Sequence, residues 1–83
     1  MKITVKYFAS IREAIGVGSE SVTTSATTLA ALREELVARG GAHAMTLARG
    51  KTLRMALNQV MADEATVLAD DAEVAFFPPV TGG

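Results

Sequence analysis

The sequence closes with Pro78-Pro79-Val80-Thr81-Gly82-Gly83, and the group best placed for chemistry is the α-carboxylate expected on Gly83. A carboxylate is a poor electrophile. ATP-dependent adenylation converts it into a mixed anhydride with a good leaving group. A sulfur nucleophile can then attack the carbonyl, expel AMP and leave a thiocarboxylate on Gly83. Glycine suits this reaction because no Cβ crowds the carbonyl or widens the tail. Pro78 and Pro79 favour stiff, extended geometry, so the tail should project and could enter a narrow channel on another protein. The plainer alternative for Gly82-Gly83 is a frayed terminus. What separates the two is the approach: Glu73-Val74-Ala75-Phe76-Phe77 is an apolar strand that runs straight into the proline pair.

Elsewhere the chain offers no catalytic set, so the chemistry falls to a partner and the nucleotide would be used by that partner. No nucleophile–base pair is visible. The glycines at Gly16 and Gly18, and at Gly40 and Gly41, lack the Gly-Lys-Ser/Thr continuation of a phosphate loop. With one histidine and no cysteine, a structural zinc site is not expected, and no bound cofactor is implied. His43 lies among alanines and is expected as a surface or cap residue. Asp70, Asp71 and Glu73 are close enough to suggest a metal or acid–base site, but turns favour Asp and no further ligand accompanies them. Arg49, Lys51 and Arg54 form a loose basic cluster, expected in a solvated loop. A net charge of −1 with scattered basic residues does not resemble a nucleic-acid footprint. No apolar run is long enough for a membrane span, and the N-terminus alternates where a signal peptide would be continuously apolar. A soluble cytoplasmic protein is the expectation.

Eighty-three residues make one domain, 1–83, with 78–83 as its tail. Met1 to Phe8 alternates as a strand, with Ile3, Val5 and Tyr7 toward the core and Phe8 on the other face. Ala9 to Gly16 reads as a short helix capped by Ser10, with Glu13 completing a capping box. Glu20 to Thr24 is a weak strand that can pair with the first. Thr27 or Thr28 caps the main helix, which runs to about Arg39 and is closed by Gly40-Gly41. Leu29, Leu32, Leu36 and Val37 make its apolar stripe, and Glu35 is spaced to pair with Arg39. A second short helix fits between Ala42 and Gly50. Leu53 to Leu57 is a strand, Asn58-Gln59 a bend, and Val60-Met61 a short continuation.

A hairpin, one long helix and a return through further strands fits an α+β fold of the β-grasp type, with first and last strands parallel in the middle of a mixed sheet. The helix covers one face. On the other, alternation places Phe8 beside Phe77, and Met61 can join them in an apolar patch at the base of the tail. A covering loop is the competing expectation.

These segments resemble a known family. Glu73 to Gly83, the stretch Tyr7-Phe8-Ala9-Ser10-Ile11-Arg12-Glu13-Ala14-Ile15-Gly16, and Leu57-Asn58-Gln59 are similar to those of the small, sulfur-carrying subunits of molybdopterin synthase. The resemblance implies a ubiquitin-like fold and a Gly83 that an E1-like enzyme adenylates and a sulfur donor protein converts to the thiocarboxylate. It implies insertion of Pro78, Pro79, Val80, Thr81 and Gly82 into the large synthase subunit, and sulfur transfer to cyclic pyranopterin monophosphate. Phe8, Met61 and Phe77 match the family's apolar interface positions. One departure is Asp71-Ala72, where the family commonly has Gly-Asp, which bears on that turn. Thiamine-pathway sulfur carriers share the fold and the Gly-Gly end, and ubiquitin-like modifiers use the same carboxylate for isopeptide bonds. A pure interaction module would make no use of Gly83.

Overall fold

The computed structural model describes residues 1–48, 50 and 52–79. The chain forms β1 (Lys2–Tyr7), α1 (Ala9–Ile15), β2 (Ser19–Thr23), α2 (Leu29–Val37), α3 (Gly41–Leu47), β3 (Arg54–Leu57), β4 (Val60–Ala62) and β5 (Glu73–Phe77). The strands make one mixed sheet in the order β2-β1-β5-β3-β4. β1 and β2 are an antiparallel hairpin, and β1 and β5 run parallel at its centre, as the β-grasp expectation required.

Alternation decides what each strand buries. Ile3, Val5 and Tyr7 of β1, with Val74 and Phe76 of β5, are almost completely buried. They pack against Leu29, Leu32 and Leu36 of α2 and Leu47 of α3. Burial of each such side chain is worth about 1.5–3 kcal/mol, so this seam holds the sheet to its helices. Thr28 caps α2, its hydroxyl oxygen accepting from Ala31 N at 3.2 Å.

Four local expectations change in three dimensions. Ser10 does not cap α1: Phe8 takes the cap position, with no side-chain cap. The reason is that Phe8 N donates to Phe76 O at 3.1 Å, so the sheet ladder runs to the helix start and Ser10 falls inside the first turn. The main helix stops at Val37, and Gly40, in the left-handed region at φ 76°, opens α3 instead of only closing α2. Val60-Met61 does not continue β3. Asn58 and Gln59 both have positive φ, 50° and 69°, a tight turn that folds β4 back antiparallel as the sheet edge. Of the expected basic cluster, Arg54 is not in a loop; it is the first residue of β3, within the strand expected from Leu53 to Leu57.

The acidic group near β5 serves the turn. Asp70 Oδ1 accepts from Lys2 N at 2.8 Å, and Glu73 pairs with Lys6 at 3.2 Å. Asp71, which stands where the resembled family commonly has Gly, adopts φ 64°. Arg33 is buried, and holds the far end of α3 by donating to Leu47 O and Ala48 O at 2.6 and 2.7 Å. It also pairs with Glu64 at 3.0 Å.

Candidate functional site: an aromatic-walled face at the root of the tail

The parallel pairing of β1 with β5 sets Tyr7 opposite Phe76. This register stacks aromatic pairs on both sides of the sheet. Inside, Tyr7 and Phe76 lie nearly parallel with ring centroids 6.4 Å apart. Outside, one residue further along each strand, Phe8 meets Phe77 edge-on at 6.3 Å and 87°. The outer pair has no helix above it, and Phe8 is 45% exposed.

Met61 reaches the same place by a different route. It pairs with Ala56, which in turn pairs with Ala75 on β5. The two alanines are low, so Phe8, Phe77 and Met61 stand as walls around a depression of about 540 Å³. Gln59 and the Lys6–Glu73 ion pair form its rim. No loop among the described residues covers Met61, which is 56% exposed. Of the competing expectations for this face, the open one matches the geometry.

β5 leads from this depression directly into Pro78 and Pro79, both half-buried. Pro78 lines a small depression of about 230 Å³ together with Ser10 and Ile11 of α1 and Met45 and Thr46 of α3. The rest of the expected tail, Val80, Thr81, Gly82 and Gly83, lies outside the described residues, as do Arg49 and Lys51. A larger depression of about 640 Å³ follows the β3–β4 edge near Arg33. The Arg33 guanidinium there is committed to Leu47, Ala48 and Glu64, and Arg54, Asp63 and Glu64 line the same depression.

Sequence reading missed one polar cluster. Glu20 of β2 accepts from Tyr7 Oη at 2.6 Å and from Arg39 at 2.6 Å, and its Oε2 lies 3.1 Å from His43 Nε2. His43 also meets the Tyr7 ring edge-on at 5.7 Å. It is therefore a packed residue with only 18% of its side chain exposed, not the surface or cap residue expected. Arg39 pairs with Glu20, whereas the expected partner Glu35 bonds the Thr24 hydroxyl. Burial opposes charge on Glu20, but hydrogen bonds from Arg39, Tyr7 and His43 outweigh it and bring the carboxyl down from 4.5 to about 2. Tyr7 moves the other way: burial, then its bond to Glu20, push its phenol well above the usual value. The cluster ties the hairpin to the end of α2 and the start of α3. Its signal in the sequence was an acid at an alternation position that faces inward.

The ThiS family model matches residues 5–83, nearly the whole chain. The chain belongs to the ThiS family. Among curated relatives of this ThiS-family chain, the molybdopterin synthase sulfur carrier subunit of Escherichia coli (strain K12) is 42% identical over 81 residues, covering 98% of this chain and 99% of that protein. Among solved structures, SAMP1 from Haloferax volcanii superposes with a TM-score of 0.79 at 25% identity, covering all of both chains. A chain of the protein–protein complex of subunits 1 and 2 of the molybdopterin-converting factor from Helicobacter pylori 26695 is also similar. Its TM-score is 0.69 at 28% identity, again over all of both chains. The β-grasp fold is common to this ThiS-family chain and these structures.

Proposed function

We propose that this chain is a sulfur carrier for molybdenum cofactor synthesis, working as the small subunit of molybdopterin synthase. The observation that carries the reading is the direct run of β5 from the Phe8–Phe77–Met61 depression into Pro78 and Pro79, after which the sequence continues Val80-Thr81-Gly82-Gly83. A docking face and a carboxylate handle are thus joined by one strand. The near-full-length identity to the Escherichia coli carrier supports the choice of pathway.

In this reading an E1-like enzyme adenylates Gly83, consuming ATP and releasing pyrophosphate. A sulfur donor protein then supplies sulfur that displaces AMP, so one carboxyl oxygen is replaced by sulfur. Phe8, Met61 and Phe77 hold the chain on the large synthase subunit while the tail delivers the thiocarboxylate to cyclic pyranopterin monophosphate. This chain supplies position and cargo; the large subunit supplies the catalytic side chains.

The test is intact mass after incubation with ATP, the cognate activating enzyme and a sulfur source. Replacement of oxygen by sulfur at the terminal carboxyl adds about 16 Da, a covalent change that packing cannot mimic. An unchanged mass under conditions that load a known carrier would remove the reading. A second reading, protein modification, is favoured by the match to SAMP1, a small archaeal modifier protein. Lysine-linked adducts of the chain, with no sulfur gain, would select it.

A further inference from the structure

The outer sheet face is not electrically uniform. In its middle, Lys6 is neutralised by Glu73 at 3.2 Å. At the end away from the tail, Lys2 has the Asp70 carboxylate beside its backbone. At the tail end stands Arg54, and its place follows from register: it is the cross-strand partner of Phe77. Residues paired in this way project on the same side of the sheet, so Arg54 stands next to Phe77, where it lines the neighbouring depression that shares Met61 with the aromatic-walled one.

Arg54 is exposed and makes no hydrogen bond or ion pair with any described residue. The nearest acid along β4 is Asp63, just past Ala62, the residue paired with Met55. Its Oδ1 accepts from Ala65 N at 2.9 Å and from the Thr66 hydroxyl at 3.4 Å, so it is engaged in its own turn. Arg54 is thus an exposed cation at the root of the tail that forms no ion pair among the described residues, with the Asp63 carboxylate lining the same depression, on a chain whose net charge is −1.

We propose that Arg54 is a steering contact, and that the protein surface received by this face carries a carboxylate beside the pocket that takes Phe77. The proposal rests on the docking reading given above and adds the charge of the partner to it. A cation at the rim of an apolar patch acts at a distance. It raises the rate of encounter and selects orientation, while the aromatic walls supply the buried contact. Orientation matters here because the tail starts one residue beyond Phe77 and must meet its channel in one pose.

The experiment measures association and dissociation rates of the full chain with the large synthase subunit between low and physiological salt. The variants are Arg54→Glu, Arg54→Ala, Arg54→Lys and Phe77→Asp. Thermal unfolding of each checks that exposed substitutions leave the fold intact. Arg54→Glu should slow association roughly tenfold at low salt, at the lower end of the range that interface variants span. Its salt dependence should flatten or reverse, with dissociation little changed. Arg54→Ala should fall between, and Arg54→Lys should keep wild-type rates and salt dependence, which a role in packing would not. Association of Arg54→Glu at the wild-type rate, or equal slowing by Lys and Glu, overturns the steering assignment. Phe77→Asp separates the two claims: if it too binds normally, the docking face itself is wrong. If Phe77→Asp fails to bind while Arg54→Glu binds normally, the face stands and the charge assignment falls.

Discussion

Glu20 receives Tyr7, Arg39 and His43 on its two carboxylate oxygens. Three donors on one acid make the folded state hold the charged form, with the carboxyl down at about 2 from its ordinary 4.5. Because the folded value is depressed, the stabilisation is fully present above about pH 4.5 and is lost as pH falls toward about 2, where the folded state also takes up the proton. Arg39 is well exposed, so solvent screens the pair and the contribution should be about 1 kcal/mol. Glu20→Gln should therefore be less stable than the parent chain by about that amount near neutral pH. Urea unfolding of both proteins as the pH is lowered should show the gap closing. A gap that stays constant would mean that Glu20 acts through packing alone.

At the scale of elements, the β3–β4 hairpin sets where Met61 stands. Its turn places Asn58 and Gln59 both in the left-handed region. Asn58 is fixed there by two bonds to one residue of β5: its N–H donates to Glu73 O at 2.8 Å, and its Oδ1 accepts from Glu73 N at 2.9 Å. The side chain thus extends the ladder past the end of β3. Asn tolerates this conformation better than most residues, and Gly tolerates it best. Asn58→Ala loses the side-chain bond and keeps a Cβ in a strained backbone, so a loss of about 2 kcal/mol is expected. Asn58→Gly loses the bond but relieves the strain, and should cost about half as much. Denaturant midpoints give the comparison; equal losses would show that the conformation carries no penalty at this site.

For the whole molecule, fold and chemistry make separable demands. Among the described residues the buried core is built from residues up to Phe76, and Gly83 has no side chain to add to a core. Removing Gly83 should leave thermal unfolding unchanged. In the sulfur-carrier reading it should nevertheless abolish transfer. Deleting one extended residue withdraws the carboxylate by about 3.3–3.6 Å. A misplacement of about 1 Å already costs roughly a hundredfold in a reaction that needs close approach. Adding a residue after Gly83 also fails, because its carbonyl is then an amide that ATP-dependent adenylation does not activate. Both variants keep the Phe8, Met61 and Phe77 face and should compete with the parent chain for its partner. Unfolding, affinity and thiocarboxylate yield measured on the same samples check all three expectations, and normal sulfur transfer without Gly83 would sink the carrier reading.

The sequence alone was enough for whatever depends on the period of one element. Alternation in β1 and β5 separated Tyr7 and Phe76 from Phe8 and Phe77, and helical spacing identified Leu29, Leu32 and Leu36 as core. The terminal Pro-Pro-Val-Thr-Gly-Gly marked the group for chemistry, and the segments around it pointed to the family. These follow from backbone geometry that each residue shares with near neighbours. What links distant elements needed the tertiary structure. Spacing along α2 favoured Glu35 for Arg39, but sheet–helix packing brought Glu20 instead, and made His43 part of the same cluster. Arg54 fell both in the expected basic loop cluster and in the expected strand Leu53 to Leu57, and only the antiparallel register set it opposite Phe77. Spacing fixes which face a side chain takes within its own element; which distant group it then meets depends on how the elements pair and pack, and a shift of one residue in register would change it.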